Sequence, residues 1–315
     1  MKINILMSTY NGEAYLAQQI QSIQNQTVTD WKLLIRDDGS TDQTPEIIKA
    51  FEAQDSRIQF INRDDRQNFG VIKNFYTLLK YDQADIYCFS DQDDVWLKDK
   101  LETQLSAFTN QPAQLPVMVY MDLKVVDQDL NVLNESMIRS QSAHPNTKLV
   151  QELTENAVTG GVSAINHALA QKWTRYDGLI MHDWYLALLA TALGKLIYID
   201  QPGELYRQHA NNVLGARTLD KRFKLFRQGP KKLFTRYWHL IHQSQVQAQH
   251  IIDDYATELT PEKHQLLADY VDFDQQPFRE RLRRLIKHRY TKNQWKHIIV
   301  FRLLLLTNLY NARTK

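Results

Sequence analysis

Between residues 2 and 89 the sequence alternates between short apolar runs and segments whose apolar residues recur at helical spacing. Strands are predicted over residues 2–7, 31–36, 58–62 and 86–89. Helices are predicted between them over residues 14–24, 45–51 and 71–80, the first with Leu16, Ile20 and Ile23 on one face. Strands joined by helical crossovers pair in parallel and need cover on both faces, so the expected fold class is α/β, a mainly parallel sheet flanked by helices. In such a sheet, ligands bind beyond the carboxyl ends of the strands, and the residues there become the candidate contacts.

With 43% hydrophobic and 23% charged residues, the 315-residue chain can bury a substantial core, and disorder is not expected. Cys88 is the single cysteine and falls inside a predicted buried strand, which excludes an intrachain disulfide and suits a reducing compartment. Residues 3–7 run straight into polar Ser8-Thr9-Tyr10-Asn11 and read as a first strand, not a signal peptide. The apolar run 298–306 is broken by Arg302 and far short of the roughly 20 residues a spanning helix needs, so no transmembrane segment is expected. Net charge is only +2, yet residues 216–315 hold 20 Lys or Arg against 9 Asp or Glu. The chain therefore divides into an acidic part, 1–215, and a basic, helix-patterned part, 216–315, with the boundary near Gly215 after Asn211-Asn212-Val213-Leu214. Helices in the second part are expected over residues 225–241, 265–271, 278–286 and 298–306. They read either as a cationic face around a small core, as a surface for anionic lipid head groups, or as an oligomer contact such as a homodimer. No nucleic-acid motif accompanies the charge.

The predicted strand 86–89 ends in Ser90 and then Asp91-Gln92-Asp93-Asp94, three carboxylates in four residues. Clustered hard oxygens at a strand end could bridge a divalent cation to a phosphorylated substrate. The plainer alternative is an acidic turn capping a helix that begins near Trp96. The first strand ends Ser8-Thr9-Tyr10-Asn11-Gly12 and the second Asp37-Asp38-Gly39-Ser40-Thr41-Asp42, which are turn sequences in their own right. As a site, Asp37 or Asp38 would accept a hydrogen bond from a nucleobase N–H while Tyr10 packs on its face. The Gly-rich dinucleotide fingerprint is absent, which argues against a nicotinamide or flavin cofactor. Further on, Gly160 and Gly161 either permit close approach to a ligand or turn before a strand. Asp183, before an apolar helix, is a helix N-cap or a functional carboxylate, and His209 a structural histidine or a ligand.

Four motifs in order over the first 95 residues, namely the two strand-end loops, Asn68-Phe69-Gly70 and the carboxylate cluster, resemble glycosyltransferase family 2, inverting enzymes of the Rossmann-like GT-A fold. The resemblance implies a nucleoside-diphosphate sugar held by Thr9, Tyr10, Asn11, Asp37, Asp38, Asn68 and Gln92, with Asp91 at the ribose or metal shell. It implies Asp93 and His209 as ligands of a divalent cation, Mg²⁺ or Mn²⁺, and Arg207 for phosphate charge. Asp183 would be the general base, with Gly160, Gly161 and Trp184 on the acceptor side. Many members carry Glu-Asp where this chain has His182-Asp183, and the Gln-any-any-Arg-Trp motif of processive members is missing. An Asp of ordinary pKa, about 3.9, would already be ionised at neutral pH. Longer strings, among them Asn68 to Phe75 and Ser90 to Trp96, resemble rhamnosyltransferases of streptococcal-type rhamnose polysaccharides. That likeness implies a dTDP-L-rhamnose donor and a lipid-linked glycan acceptor at the cytoplasmic face of the membrane; a UDP-hexose donor is the alternative. A nucleotidyltransferase would need a basic, Gly-rich triphosphate loop that is not present, and a non-catalytic sugar-nucleotide-binding protein would have no use for Asp183.

Overall fold

The structure, a computed structural model, describes residues 1–209 and 230–311. Its first half has the predicted alternation: β1 (Ile3–Thr9), α1 (Leu16–Gln24), β2 (Lys32–Asp37), α2 (Thr44–Gln54), β3 (Ile58–Phe60), α3 (Val71–Tyr81) and β4 (Ile86–Ser90). These strands pair in parallel in the order β3-β2-β1-β4. Their register aligns the strand ends. Thr9 lies opposite Asp37 and Met7 opposite Ser90, so the loops after β1, β2 and β4 leave the sheet side by side at one edge.

Residues 95–96 form a short strand, β5 (Val95–Trp96), antiparallel to a late strand, and the helix expected near Trp96 begins only at Lys100. A β-branched and an aromatic residue favour pairing there, and the Trp96 N–H donates to Ser22 Oγ at 3.0 Å. The chain continues through α4 (Lys100–Phe108), β6 (Val117–Val126), β7 (Val132–Asn134), α5 (Leu149–Glu152), β8 (Ser163–Asn166), α6 (His167–Lys172), α7 (His182–Leu193) and β9 (Lys195–Arg207). β8 joins β4 antiparallel, β6 lies between β8 and β9, and β5 closes the far side, completing a nine-stranded mixed sheet.

Alternation along the strands separates two cores. Ile3, Ile5 and Met7 of β1 face one side with Leu16, Ile20 and Ile48, while Leu6 faces the other with Phe75 and the apolar residues of α7. Cys88 is fully buried in the first of these. From His182 to Ala192, α7 is buried on all sides, as expected of a helix lacking a polar face.

The basic region supplies α8 (Pro230–Tyr255), α9 (Pro261–Val271), α10 (Phe278–His288) and α11 (Trp295–Thr307). Trp238, Ile251, Leu267, Phe301 and Leu305 of these helices join the same core as α7, so the bundle continues the sheet's second face. The expected boundary near Gly215 and the start of the helix expected from residue 225 lie outside the described residues. Among the described residues no helix is long and apolar enough to cross a membrane.

Candidate active site

The loop after β1 is locked by the cluster after β4. Gln92 uses its side-chain amide as a second backbone: its Oε1 accepts from Tyr10 N–H at 2.8 Å and its Nε2 donates to the Tyr10 carbonyl at 2.9 Å. A Cβ on Gly12 would lie 2.4 Å from Gln92 Oε1, so a larger residue there would push the Gln92 amide off Tyr10. Asn11 adopts a left-handed φ of 47° and accepts from Thr41 N–H at 2.9 Å, joining this loop to the next. The Tyr10 ring is 51% exposed and free to stack on a planar group.

Asp37 and Asp38 are both buried and mainly build the loop. Asp37 accepts from Thr9 Oγ1 at 3.2 Å, from Ser40 N–H at 2.9 Å and from the Gly39 N–H and Ser40 hydroxyl. Asp38 Oδ1 accepts from Arg36 at 2.9 Å and Phe69 N–H at 2.7 Å, and Oδ2 from Gly70 N–H at 2.8 Å, which leaves one acceptor direction on Oδ2. Arg36, with its carbon 3.9 Å from the Phe69 ring centroid, completes a clamp around the 67–70 segment. Asn68 lies exposed on that segment.

At the cluster, burial and then the charges of Asp93, Glu204 and Asp183 push the Asp91 carboxyl up to about 8. Asp94, fully buried, is driven well above the carboxylate range by burial and then by Glu204; its Oδ1 accepts from Arg207 N–H at 2.9 Å, and its Oδ2 has no partner. Asp93 Oδ2 stands 2.7 Å from His209 Nε2. Arg207 is engaged inside the frame: Nε donates to the Asp93 carbonyl at 2.9 Å, and its terminal nitrogens reach the Gln128 carbonyl and Gln18. Among the described residues no three His, Cys, Asp or Glu side chains converge as a ready-made metal site. A cation bound by one or two protein ligands together with substrate phosphates needs no such triad. Asp93 beside His209, next to carboxylates that repel each other and an orphaned Asp94 oxygen, fits that mode.

Asp183 sits in the first turn of α7, whose N-cap is Met181, so the capping alternative does not hold. Its Oδ1 accepts from Trp184 N–H at 2.5 Å and from Asn156 Nδ2 at 3.3 Å. Burial raises its pKa to about 7, against the backbone hydrogen bonds of Trp184 and Gly160 that lower it. The expectation of an ordinary carboxyl is thereby corrected: Asp183 is 8% exposed, and desolvation disfavours its charge. Trp184 is buried, its indole donating to the Glu152 carbonyl at 2.6 Å. Thus the edge gathers Thr9, Tyr10, Asn11, Gln92, Asp91, Asp93 and His209, with Asp183 near enough for its charge to act on Asp91. Asp37, Arg207 and Trp184 belong to the supporting frame.

The family profile for Glycosyl transferase family 2 matches residues 4–174. The chain belongs to this family. It is 32% identical over 223 residues, 67% of this chain and 74% of the relative, to dTDP-rhamnosyl transferase RfbG of Shigella flexneri. It is 28% identical, over 59% of this chain and 68% of the relative, to the UDP-Glc:alpha-D-GlcNAc-diphosphoundecaprenol beta-1,3-glucosyltransferase WfgD of Escherichia coli. Among solved structures, S. aureus TarS 1-349 in complex with UDP-GlcNAc shares the fold with TM-score 0.59 and 16% identity, covering 97% of this chain and 86% of that one. The Pyrobaculum calidifontis mannosyltransferase PcManGT, in complex with GDP-Man and Mn²⁺, gives 0.52 and 14% over 98% and 87%.

This family 2 chain has site-frame residues that sequence reading missed. Lys100 and Glu204 form a fully buried ion pair at 2.9 Å, with the Lys100 ammonium also donating to the Gly161 carbonyl and lying 3.7 Å from the Trp96 ring centroid. Glu204 is placed by β5–β9 pairing, since Trp96 is its register partner, and no local pattern signals it. Glu152, buried and pushed up to about 8 by desolvation, lies within electrostatic range of Asp183. His182 is stacked 4.3 Å from Phe75, and burial lowers its pKa to about 3. It is a neutral packing group. Lys100→Met should cost about 3–5 kcal/mol, because Glu204 is left charged and unpaired in the core. Lys100→Met/Glu204→Gln should recover most of that loss in thermal unfolding; a double variant as unstable as the single one would contradict the pairing.

Proposed function

We propose that this enzyme transfers a sugar, L-rhamnose from dTDP-L-rhamnose, onto a lipid-linked glycan in cell-surface polysaccharide synthesis, with inversion at the anomeric carbon. The observation that carries the reading is a buried carboxylate poised near neutrality, Asp183, beside a separate carboxylate cluster at the same sheet edge. The nucleobase stacks on Tyr10 and pairs with the free acceptor direction of Asp38, Asn11 and Asn68 flank it, and Asp91 meets the ribose. Asp93 and His209 would hold Mg²⁺ or Mn²⁺, which would supply compensation for the charge of the leaving diphosphate. Arg207 fixes the Asp93 backbone from behind. On the opposite face of the sugar, Asp183 takes the proton of the acceptor hydroxyl as its oxygen bonds to the anomeric carbon and the carbon–oxygen bond to the diphosphate breaks. Gly160 donates to Asp183; it packs against the His182 ring and Gly161 against the Glu204 carboxylate, so the two glycines hold the base's loop close to its frame and do not open space for the acceptor. The catalytic unit lies within residues 1–209, and the helices α8 to α11 lie at the inner membrane face.

The donor assignment draws on the likeness to RfbG. The likeness to WfgD favours a second reading, UDP-glucose, and supports a diphosphate-lipid acceptor. A panel of nucleotide sugars, assayed for nucleoside-diphosphate release with Mn²⁺ or Mg²⁺, separates them: dTDP-L-rhamnose should be cleaved fastest. Preference for UDP-glucose would transfer the assignment to the second reading, and release from none would contradict the function.

A further inference from the structure

The helices α10 and α11 keep part of their apolar surface out of the core. Phe278, Leu282 and Ile286 on α10 recur at i, i+4, i+8, as do Trp295, Ile299 and Leu303 on α11, and all six are exposed, Ile286 at 68% and Trp295 at 67%. Immediately round α10 runs a second exposed stripe, Arg279, Arg283 and Lys287, in which Arg283 pairs with Glu280 and Lys287 with Asp269 of α9. From residue 278 to 311 the chain carries nine Lys or Arg and a single acid, Glu280. Apolar stripes bordered by cations, with Trp and Phe among them, match a helix lying in the plane of a bilayer interface. A second copy of so basic a face would be repelled across a two-fold axis, whereas anionic head groups would be attracted.

The segment between these helices is tied to the loop that holds the base. Thr154 donates its hydroxyl to the Thr291 carbonyl, and Lys292 donates to the Thr154 carbonyl. Asn293 N–H donates to Glu155 at 2.8 Å, and Gln294 to the Gln141 carbonyl at 2.7 Å. Two residues on from Thr154, Asn156 donates to Asp183.

We infer that α10 and α11 are a docking surface for an anionic bilayer, and that the 291–294 clamp couples this surface to the Asp183 loop, presenting a lipid-carried hydroxyl from the base side of the site. This rests on the lipid-linked acceptor of the proposed function. The bilayer holds the acceptor's anchor while the clamp fixes the distance from that plane to Asp183.

The test uses the full chain with vesicles of phosphatidylglycerol and phosphatidylcholine, and of phosphatidylcholine alone. Wild type should co-sediment with the anionic vesicles and be released by salt. Trp295→Glu/Ile299→Glu should lose more than about tenfold in vesicle affinity, with unchanged thermal unfolding and with nucleoside-diphosphate release in solution within about twofold of wild type. Hydrogen exchange over residues 150–160 should slow when wild type binds vesicles. Equal binding by the variant, no preference for anionic lipid, or a wild-type dimer that the substitutions dissociate would overturn the surface. Unchanged exchange over 150–160 would overturn the coupling. Failure to release nucleoside diphosphate from any donor contradicts the proposed reaction alone, since vesicle binding is read independently.

Discussion

Asp183→Asn is expected to lower glycosyl transfer by about 10²- to 10⁴-fold while leaving calorimetric affinity for the nucleoside diphosphate close to wild type. The Asn oxygen keeps the hydrogen bonds from Trp184 and Asn156, so α7 and its loop should stay in place, but an amide cannot take a proton at neutral pH. The same residue sets a pH dependence. Burial raises the folded pKa to about 7, and a base works only when deprotonated, so the wild-type rate should climb as pH rises through about 7 and level off above it. In Asp183→Asn that limb should vanish. A wild-type rate in the variant, or an unchanged limb, would assign the base elsewhere; lost donor affinity would make Asp183 a donor-site residue.

Asp93→Ala is expected to reduce turnover by at least about 10²- to 10³-fold, the range associated with removing a preorganised electrostatic stabiliser. Its fold should survive. Asp93 is partly exposed, and its charge raises the pKa of both Asp91 and Asp94, so its loss relieves repulsion within the cluster. Thermal unfolding should therefore move little, and chelation should reduce wild-type turnover to the level of the variant. Near-normal turnover by Asp93→Ala, together with insensitivity of the wild type to chelator, would exclude the bridging role.

The parallel half of the fold was legible because its information is local: each strand and crossover helix from residue 2 to 90 has its own periodicity, and a parallel register aligns the strand ends without further instruction. The 95–96 segment was not legible because a two-residue strand has no periodicity, and its identity comes from a partner more than a hundred residues away, Glu204-Leu205. The same distance hid the Lys100–Glu204 pair. At the site, residue types were readable and their environments were not. Asp37 looks like a free carboxylate in the sequence, yet four donors already surround it. Asp183 looks like an ordinary acid, and only the packing of α7 and the 156–160 loop reveals a carboxyl held near neutrality. The C-terminal charge was visible from composition, but the exposed stripes of α10 and α11 depend on which face the core takes up.

The proposed reaction is a single displacement in which Asp183 activates the attacking oxygen and no enzyme carboxylate bonds to the sugar. The most direct measurement is proton NMR of the anomeric centre during donor cleavage by the wild-type enzyme in the presence of Mn²⁺-free Mg²⁺ buffer, with water as the attacking hydroxyl. The first-formed sugar should carry the anomeric configuration opposite to that of the donor, before mutarotation mixes the two forms. Release of sugar with the donor's own configuration would require a covalent or front-face route and would contradict the role given to Asp183.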